Sequence, residues 1–545
     1  VLFTLAETSF ASASATKGGL LSRRYAAPAR YTSVNLYVGD SLFSSDYSYS
    51  GAGMVSPLAA PVEEGIVPLR NAFWFNADMA YKFALDVFNS KKNNFKGASL
   101  SAGERELPDF HSLREVVLFD GGGALGLDDG GRAPGLDDDG VAPRLDDGRC
   151  ARLAVQLSQV LSGFAGLSSA NVNVNEQSAV YYIVDNEGTR VKVPVTIAYV
   201  NLNGSVVGGN GRTVWDFENI AAPLFEGLPD YDVLVAKVEA FAGRLTGLSE
   251  SSAMEGYYLG PVLFEDYAVS NLLLSNLAAE GGLFAHRRPV AVSSTVYPPE
   301  DVSGLSSLRT LEGRLGERVL DASLNVYNYS DYKAVDASVY KRIIGMDKSA
   351  AGADAGADVG GSVGAALLGS YAIDVQGVRP PRELVLVSNG IVQGVMSHRV
   401  PTLGSSLSSG SMRGGIREGG MSVSLAPGIL LVDGSSGSAT VSRAALKKEL
   451  LKRAKGLGLE YAYIVRKFMG GSNQVVYKVS VKSGKEEPVL GAIVTPVPLN
   501  RLMNLGPKSF SRELSYENTM YRNTIPMSII HPASLLLNEI EIRNE

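Results

Sequence analysis

The sequence predicts an α+β fold in two domains: an N-terminal sheet packed with helices over residues 1–250, and a C-terminal, mostly antiparallel β domain over residues 251–545. Three observations predict it. The 545 residues exceed what one small domain holds, at about 100 to 200 residues per domain. Segments of helical and strand period are mixed in the first half, whereas strand and turn patterns dominate after residue 290. Glycine supplies 60 of the 545 residues, above the usual ~7%, which favours turn-rich β structure.

The elements follow in order. Tyr31 to Asp40 alternates, with Val34, Leu36 and Val38 on one face, and predicts a half-buried strand leaving through Gly39-Asp40. Over residues 71–92, Phe73, Ala77, Ala80, Tyr81, Ala84, Leu85 and Phe88 recur at three and four, the period of an amphipathic helix. Residues 120–150 carry three nine-residue units, beginning at Gly126, Gly135 and Arg144, without apolar periodicity. Their composition predicts a linker or surface insertion; a nine-residue calcium-binding β-roll is the alternative, but it needs an apolar residue in each unit. A helix with Leu153, Leu157, Val160 and Leu161 on one face follows, then a hairpin in which Tyr182–Val184 and Val191–Val200 flank Asn186-Glu187-Gly188. Val233, Leu234, Val238, Phe241 and Leu245 mark a helix over 230–248. The Ala/Gly stretch from Ser349 to Ala366 predicts a flexible loop. Beyond it come strands at Gly369–Val375, Leu384–Val387 and Ile391–Met396, the last two joined by Asn389-Gly390, a pair suited to the positive φ of a type I′ turn. A final helix runs from Arg443 to Lys455, capped by Ser442 and stopped by Gly456.

Composition excludes several function classes. Lys plus Arg is 50 and Asp plus Glu is 56, a net charge of −6 with no basic arm, which argues against nucleic-acid binding through a broad basic surface. No stretch approaches the ~18 apolar residues of a membrane helix. The single cysteine, Cys150, cannot form an internal disulfide, and in its repeat it reads as incidental rather than nucleophilic. The four histidines, His111, His286, His398 and His531, lie more than 100 residues apart, so no local pair can ligate zinc. His398 and His531 read as structural. Gly121 to Gly126 satisfies GxGxxG, but the Asp/Gly repeat follows it where a dinucleotide site needs a helix. Neither a GxxxxGK[ST] loop nor a GxSxG elbow occurs.

Several segments, in order, resemble the TldD/TldE (PmbA) family: Asn186-Glu187-Gly188-Thr189, Tyr257 to Ala268 with Gly260-Pro261-Val262-Leu263-Phe264, Gly369-Ser370-Tyr371 with Asp374 and Gly377, Leu384 to Gly390, Arg399 to Arg413, and Pro532 to Glu541. The Trp74 helix and Leu107 to Phe110 are similar to an extended branch of exported proteins. Val1 rather than Met opens the sequence, so either a leader has been removed or this is not the gene's start; that likeness leans to a periplasmic or exported protein after leader removal, the cytoplasm being the alternative.

The resemblance implies a proteolytic family whose catalytic TldD subunit carries HExxxH on a helix, where this sequence has Leu263 to Ser270. Both histidine positions are replaced, and the adjacent Glu265 and Asp266, about 100° apart on such a helix, cannot substitute for a ligand pair. The chain therefore resembles the metal-free TldE-like subunit, with no catalytic residue, no metal or other cofactor of its own, and zinc expected only in a catalytic partner. Its implied partners are a TldD-like chain or a second copy of itself, and extended peptides; the alternative is a catalytically inactive scaffold of the same fold. The loop from Gly404 to Gly414 holds eight Ser and Gly residues, with Arg399 before it and Arg413 near its end, which makes these two guanidinium groups candidates for a peptide cleft. A mobile surface loop is the competing reading.

Overall fold

The computed structural model describes residues 1–46, 58–62, 65–98, 100–113, 118–119, 145–209, 211, 213–279, 281–285, 287, 290, 311–343, 366–434, 440–468 and 474–544. The Gly121–Gly126 motif, the Asp/Gly repeat as far as Arg144, His286 and residues 349–365 fall outside them.

The first sheet is built on two long hairpins. Its strands are β1 (Leu2–Thr16), β2 (Gly19–Asn35), β3 (Leu58–Ala60), β4 (Leu118–Phe119), β5 (Leu167–Asp185), β6 (Arg190–Val207) and β7 (Thr213–Ala222). They are ordered β3-β2-β1-β5-β6, with β4 and β7 sharing the outer edge of β6. The β5–β6 turn falls at Asn186-Glu187-Gly188, as the sequence predicts. Asp185 Oδ1 accepts the N–H groups of Glu187 and Thr189, both at 2.9 Å, and Gly188 takes a positive φ of 101°.

These strands change their buried face halfway. At one end Val172, Val174, Val200 and Leu202 meet Ala11 and Ala13 of β1 beneath α3 (Asp147–Val160) and α4 (Tyr231–Ser249). At the other end Tyr181, Ile183, Val191, Val193 and Ile197 face the opposite way, packing on Ile373, Val375, Met412 and Ile416 from the C-terminal half. Since side chains alternate strictly along a strand, the switch requires a stretch buried on both faces. Ser178 to Tyr181 and Thr196 to Ala198 supply it.

Helix α1 (Ile66–Asn94), followed by the short α2 (Ala102–Glu106), contains the segment of helical period but buries a different stripe, Asn76, Ala80, Ala84, Val87 and Lys91. Tyr81 and Leu85 are exposed. Two polar residues anchor that stripe: Asn76 Nδ2 donates to Thr32 O at 2.7 Å, and Lys91 Nζ to Asp109 Oδ2 at 2.5 Å and Asp46 O at 2.6 Å. The strand expected over 31–40 is the end of β2, which stops at Asn35. Cys150 also departs from expectation. Asp146 caps α3 by accepting from Gly148 and Arg149, so the last repeat unit opens a helix, and Cys150 is buried against β1.

The C-terminal half is mostly antiparallel. Its nine-stranded sheet runs β16 (Thr440–Val441), β21 (Phe510–Ser511), β24 (Ser534–Asn544), β9 (Tyr257–Glu265), β17 (Tyr461–Lys467), β18 (Val475–Ser480), β19 (Glu486–Leu490), β8 (Ser252–Ala253), with β20 (Ala492–Val494) also on β24. A six-stranded sheet runs β12 (Ile391–Val392), β11 (Glu383–Ser388), β10 (Leu324–Tyr329), β15 (Ile429–Gly434), β23 (Ile525–Pro532), β22 (Leu514–Tyr521). Between these sheets lies the largest core, where α5 (Tyr267–Leu277) packs through Ala268, Leu272 and Leu273. The outer face of the nine-stranded sheet is covered by α6 (Arg443–Gly456) through Leu446, Leu450 and Ala454. The two-stranded ribbon of β13 (Met412–Arg417) and β14 (Gly420–Leu425) reaches to the first sheet.

Asn389 and Gly390 have φ of 49° and 76°, as a type I′ turn requires. Two expected strands are corrected. Residues 369–375 form no strand, because their hydrogen bonds go separately to Ser330, Val378 and Met412 and positive φ at Gly369 and Gly377 bends each end. The ladder ends at Val392: Gln393 N and Gly394 N both donate to Leu386 O, and the chain then turns away, so that Met396 bonds instead to Leu283.

The change of face fixes the outcome of paired substitutions. Ile183→Ala and Leu202→Ala, at opposite parity on the two strands, each cost about 2–5 kcal/mol as core truncations. Val184→Ala, at a residue 46% exposed, stays within about 0.5 kcal/mol. Urea midpoints of the three variants measure this, and equal costs for Ile183 and Val184 would contradict the arrangement.

Candidate functional site

The two halves meet where the switched end of β5–β6 faces β13 and residues 368–378. A cavity of about 40 Å³ lies at this junction, walled by Thr196, Tyr371, Asp374 and Arg413 among apolar residues including Val195, Pro223, Ile373 and Pro526. Gly414 lets the ribbon approach: a Cβ there would stand 2.8 Å from the Tyr181 ring. Tyr181 in turn donates its hydroxyl to Gly415 O at 2.6 Å, so ring and ribbon hold each other.

The two candidate arginines occupy different surroundings. Arg399 fastens the β5–β6 turn to residues 110–113. Its Nε donates to His111 O at 2.8 Å, Nη2 to Glu187 Oε2 at 2.5 Å, and Nη1 lies 3.5 Å from Asp185 Oδ2. Arg413, buried, donates to Pro427 O and stands 4.7 Å from the centroid of the Tyr371 ring. Among the described residues no carboxylate comes within ion-pairing distance of Arg413. Burial without a counter-charge pushes the guanidinium down to about 10. Asp374 is also buried; Gln376 N, Val378 N and Met412 N donate to it, yet burial outweighs them and pushes its carboxyl up to about 7.

The serine-rich loop between them is tied by its own hydroxyls. Ser397 Oγ donates to Leu407 O at 3.0 Å and accepts from Ser409 N at 2.9 Å, and Ser409 Oγ lies 2.8 Å from Ser411 Oγ. Leu403 and Leu407 remain exposed.

Glu265 and Asp266 do not sit on a helix, contrary to expectation. Glu265 ends β9, Asp266 adopts a φ of 47°, and α5 begins at Tyr267. Both carboxylates are engaged by arginines: Asp266 takes a two-pronged bond from Arg443 at 2.9 and 2.6 Å, and Glu265 accepts from Arg466 Nε at 3.0 Å. Arg466 continues to Glu486, which Lys447 also holds at 2.6 Å. Among the described residues, no three or more His, Cys, Asp or Glu side chains gather as metal ligands. His398 and His531 are buried and pushed down to about 4 by that burial, hence neutral, while burial pushes the Cys150 thiol up to about 12.

A second cavity, of about 80 Å³, opens on α5 between the two halves and is lined by Glu218, Tyr267, Asn271, Lys467 and Glu517. Lys467 Nζ donates to Asp216 Oδ1 at 2.6 Å, and Arg244 binds Asp216 at 3.0 Å and Glu218 at 2.8 Å. Tyr371, Thr196, Lys467 and Glu517 were not legible as a site. Tyr371 falls in a segment that carries the resemblance, the other three on separate segments without a motif, and only the fold brings them to a cavity wall.

The arrangement defines a class before any particular relative: an α+β chain whose junction cavities hold buried charge, with no gathered ligand set among its described residues. No protein-family model matches the chain, and no curated protein does. Solved structures share its fold over almost its whole length. One is a protein described as a candidate modulator of a DNA gyrase from Thermotoga maritima, at TM-score 0.55 and 13% identity, covering 99% of this chain and 95% of that one. Another is TldE from Thermococcus kodakarensis, at 0.54 and 12%, covering 100% and 96%. A candidate DNA gyrase modulator from Bacteroides thetaiotaomicron gives 0.52 and 11%, covering 100% and 94%. The resemblance read from the motifs is thus matched at the level of fold.

The second cavity carries a pH dependence. Burial, with the like charges of Glu218 and Asp266, pushes the Glu517 carboxyl up to about 8, against the pull of Lys237 and Lys467. In the unfolded chain it ionises near 4.3, so the folded state keeps a proton that the unfolded state releases, and stability falls as pH rises between those values. Glu517→Gln removes that loss. Its urea midpoint should gain on the unmodified protein from pH 5 to pH 8, and a pH-independent difference would contradict the assignment.

Proposed function

We propose that this chain is a non-catalytic, metal-free subunit of TldE type, paired with a TldD-like catalytic chain in a metalloprotease that degrades or processes peptides and unfolded proteins. The observation that carries the reading is the β9–α5 junction. Where the catalytic relatives are expected to carry HExxxH on a helix, this chain has a strand end and a left-handed residue whose carboxylates are held by Arg443 and Arg466. A carboxylate whose charge is already matched by a guanidinium is a poorer zinc ligand, because the metal must come in beside a fixed cation or displace it. The likeness in fold to TldE from Thermococcus supports the same assignment. Zinc then belongs to the partner, and this chain's part is to complete the enclosure and hold extended peptide. Arg413, on the junction cavity, is the residue for that task; Arg399 positions the β5–β6 turn beside it.

The purified chain should carry no stoichiometric transition metal and leave casein uncut. It should co-elute with a TldD-like chain bearing HExxxH, and the pair should cleave casein where neither does alone. Elemental analysis showing one tightly held transition metal per chain would overturn the proposal. A stable self-assembly that ignores such a partner would favour an inactive scaffold.

A further inference from the structure

We propose that the cavity at Arg413 is a carboxylate site, and that it takes the free C-terminus of a peptide ending in a small apolar residue. This rests on the peptide-holding role proposed above and adds which end of the peptide is recognised. A guanidinium has five N–H donors. In the folded chain that of Arg413 gives one hydrogen bond, to the neutral carbonyl of Pro427, and meets no carboxylate among the described residues. A buried cation left so is costly, and a carboxylate accepting two of its N–H groups supplies both the charge and the bonds.

One more group of the same wall is left over. The hydroxyl of Tyr371 is buried without a hydrogen-bond partner, Ser411 and Asn328 approaching it without a well-aligned bond. The cavity, at about 40 Å³, exceeds the ~10–15 Å³ that one water needs on the same measure, which leaves room for a carboxylate. Asp374 and Ser370 also line it, their oxygens accepting backbone N–H groups, and the rest of the wall is apolar, with Val195 and Pro223 half-buried and Ile373 and Pro526 buried, which suits a short aliphatic side chain next to the carboxylate. Burial lowers the Arg413 guanidinium only to about 10, so it remains cationic at neutral pH.

Calorimetric titration of the full chain with acetyl-Ala-Val as free acid, with its carboxamide, and with isobutyrate tests this. The free acid should bind, and the carboxamide at least about tenfold more weakly, the loss of one charge-assisted pair. Carboxamide binding equal to the acid, or no binding of any probe, overturns the proposal. Isobutyrate binding as tightly as the peptide acid overturns its peptide half and leaves a small free carboxylate as the ligand. Arg413→Met should abolish the preference for acid over amide while its urea midpoint stays level or rises, because an unpaired buried charge has been removed. Retained preference together with a lowered midpoint would make Arg413 a structural residue and overturn the site. Tyr371→Phe gives a second reading, weakening the acid several-fold. The assay needs no catalytic partner, so its failure leaves the subunit assignment standing, and an inactive complex leaves the carboxylate site standing.

Discussion

The structure depends on one hairpin being buried on opposite faces at its two ends. A strand of 19 residues spans about 60 Å at about 3.3 Å per residue, too long for one layer of helices to cover. α3 and α4 cover one face near one end, and the β13–β14 ribbon with residues 368–378 covers the other face near the other end. The N-terminal sheet is therefore both the floor of its own helical domain and part of the C-terminal half's packing. The position of the Arg413 cavity follows. It lies where Val193, Thr196 and the ribbon meet, on the side of β6 that would have faced solvent had the helices extended along the whole strand.

The same switch explains how much of the fold the sequence disclosed. Helix α4 was legible residue by residue: Leu234, Val238, Phe241 and Leu245 are buried where the period places them. The β5–β6 turn was legible because Asp185 and Gly188 leave the backbone little choice. Helix α1 was legible as an element but not in its orientation. The face it buries carries Asn76 and Lys91, and only the tertiary partners Thr32, Asp46 and Asp109 make those residues better buried than Tyr81. Residues 369–375 look like a strand because they are apolar, but their apolarity serves a wall packed against the ribbon rather than a ladder. The segment around Cys150 was misread as linker for the reverse reason: a polar repeat hid a cap, Asp146, that begins a buried helix.

Charge burial follows two rules in this molecule. Most inward-facing charges are paired: Asp109 with Lys91 and Arg287, Asp216 with Arg244 and Lys467, Arg399 with Glu187 and Asp185. Each joins segments distant in sequence, so the pairs act as fasteners between elements that apolar contact alone would leave free to slide. Breaking such a pair exposes an uncompensated buried charge, a loss of about 3–5 kcal/mol. Fasteners of this kind are nearly invisible in sequence, because their partners lie far apart and carry no spacing.

Arg413 stands outside that rule, and the contrast gives it weight. Arg399, only 14 positions earlier along the chain, shows that this junction can supply carboxylates to a guanidinium, since Asp185 and Glu187 both reach it. Asp374 lines the same cavity as Arg413, but its oxygens are taken by Gln376, Val378 and Met412 N–H groups, and its carboxyl is pushed up to about 7. A protein that needed Arg413 only as filler could use an apolar side chain of similar length at no cost in buried charge. Keeping the charge, stacking it on Tyr371 and leaving it a neutral carbonyl as its acceptor costs stability that the fold gets back only when something negative enters the cavity.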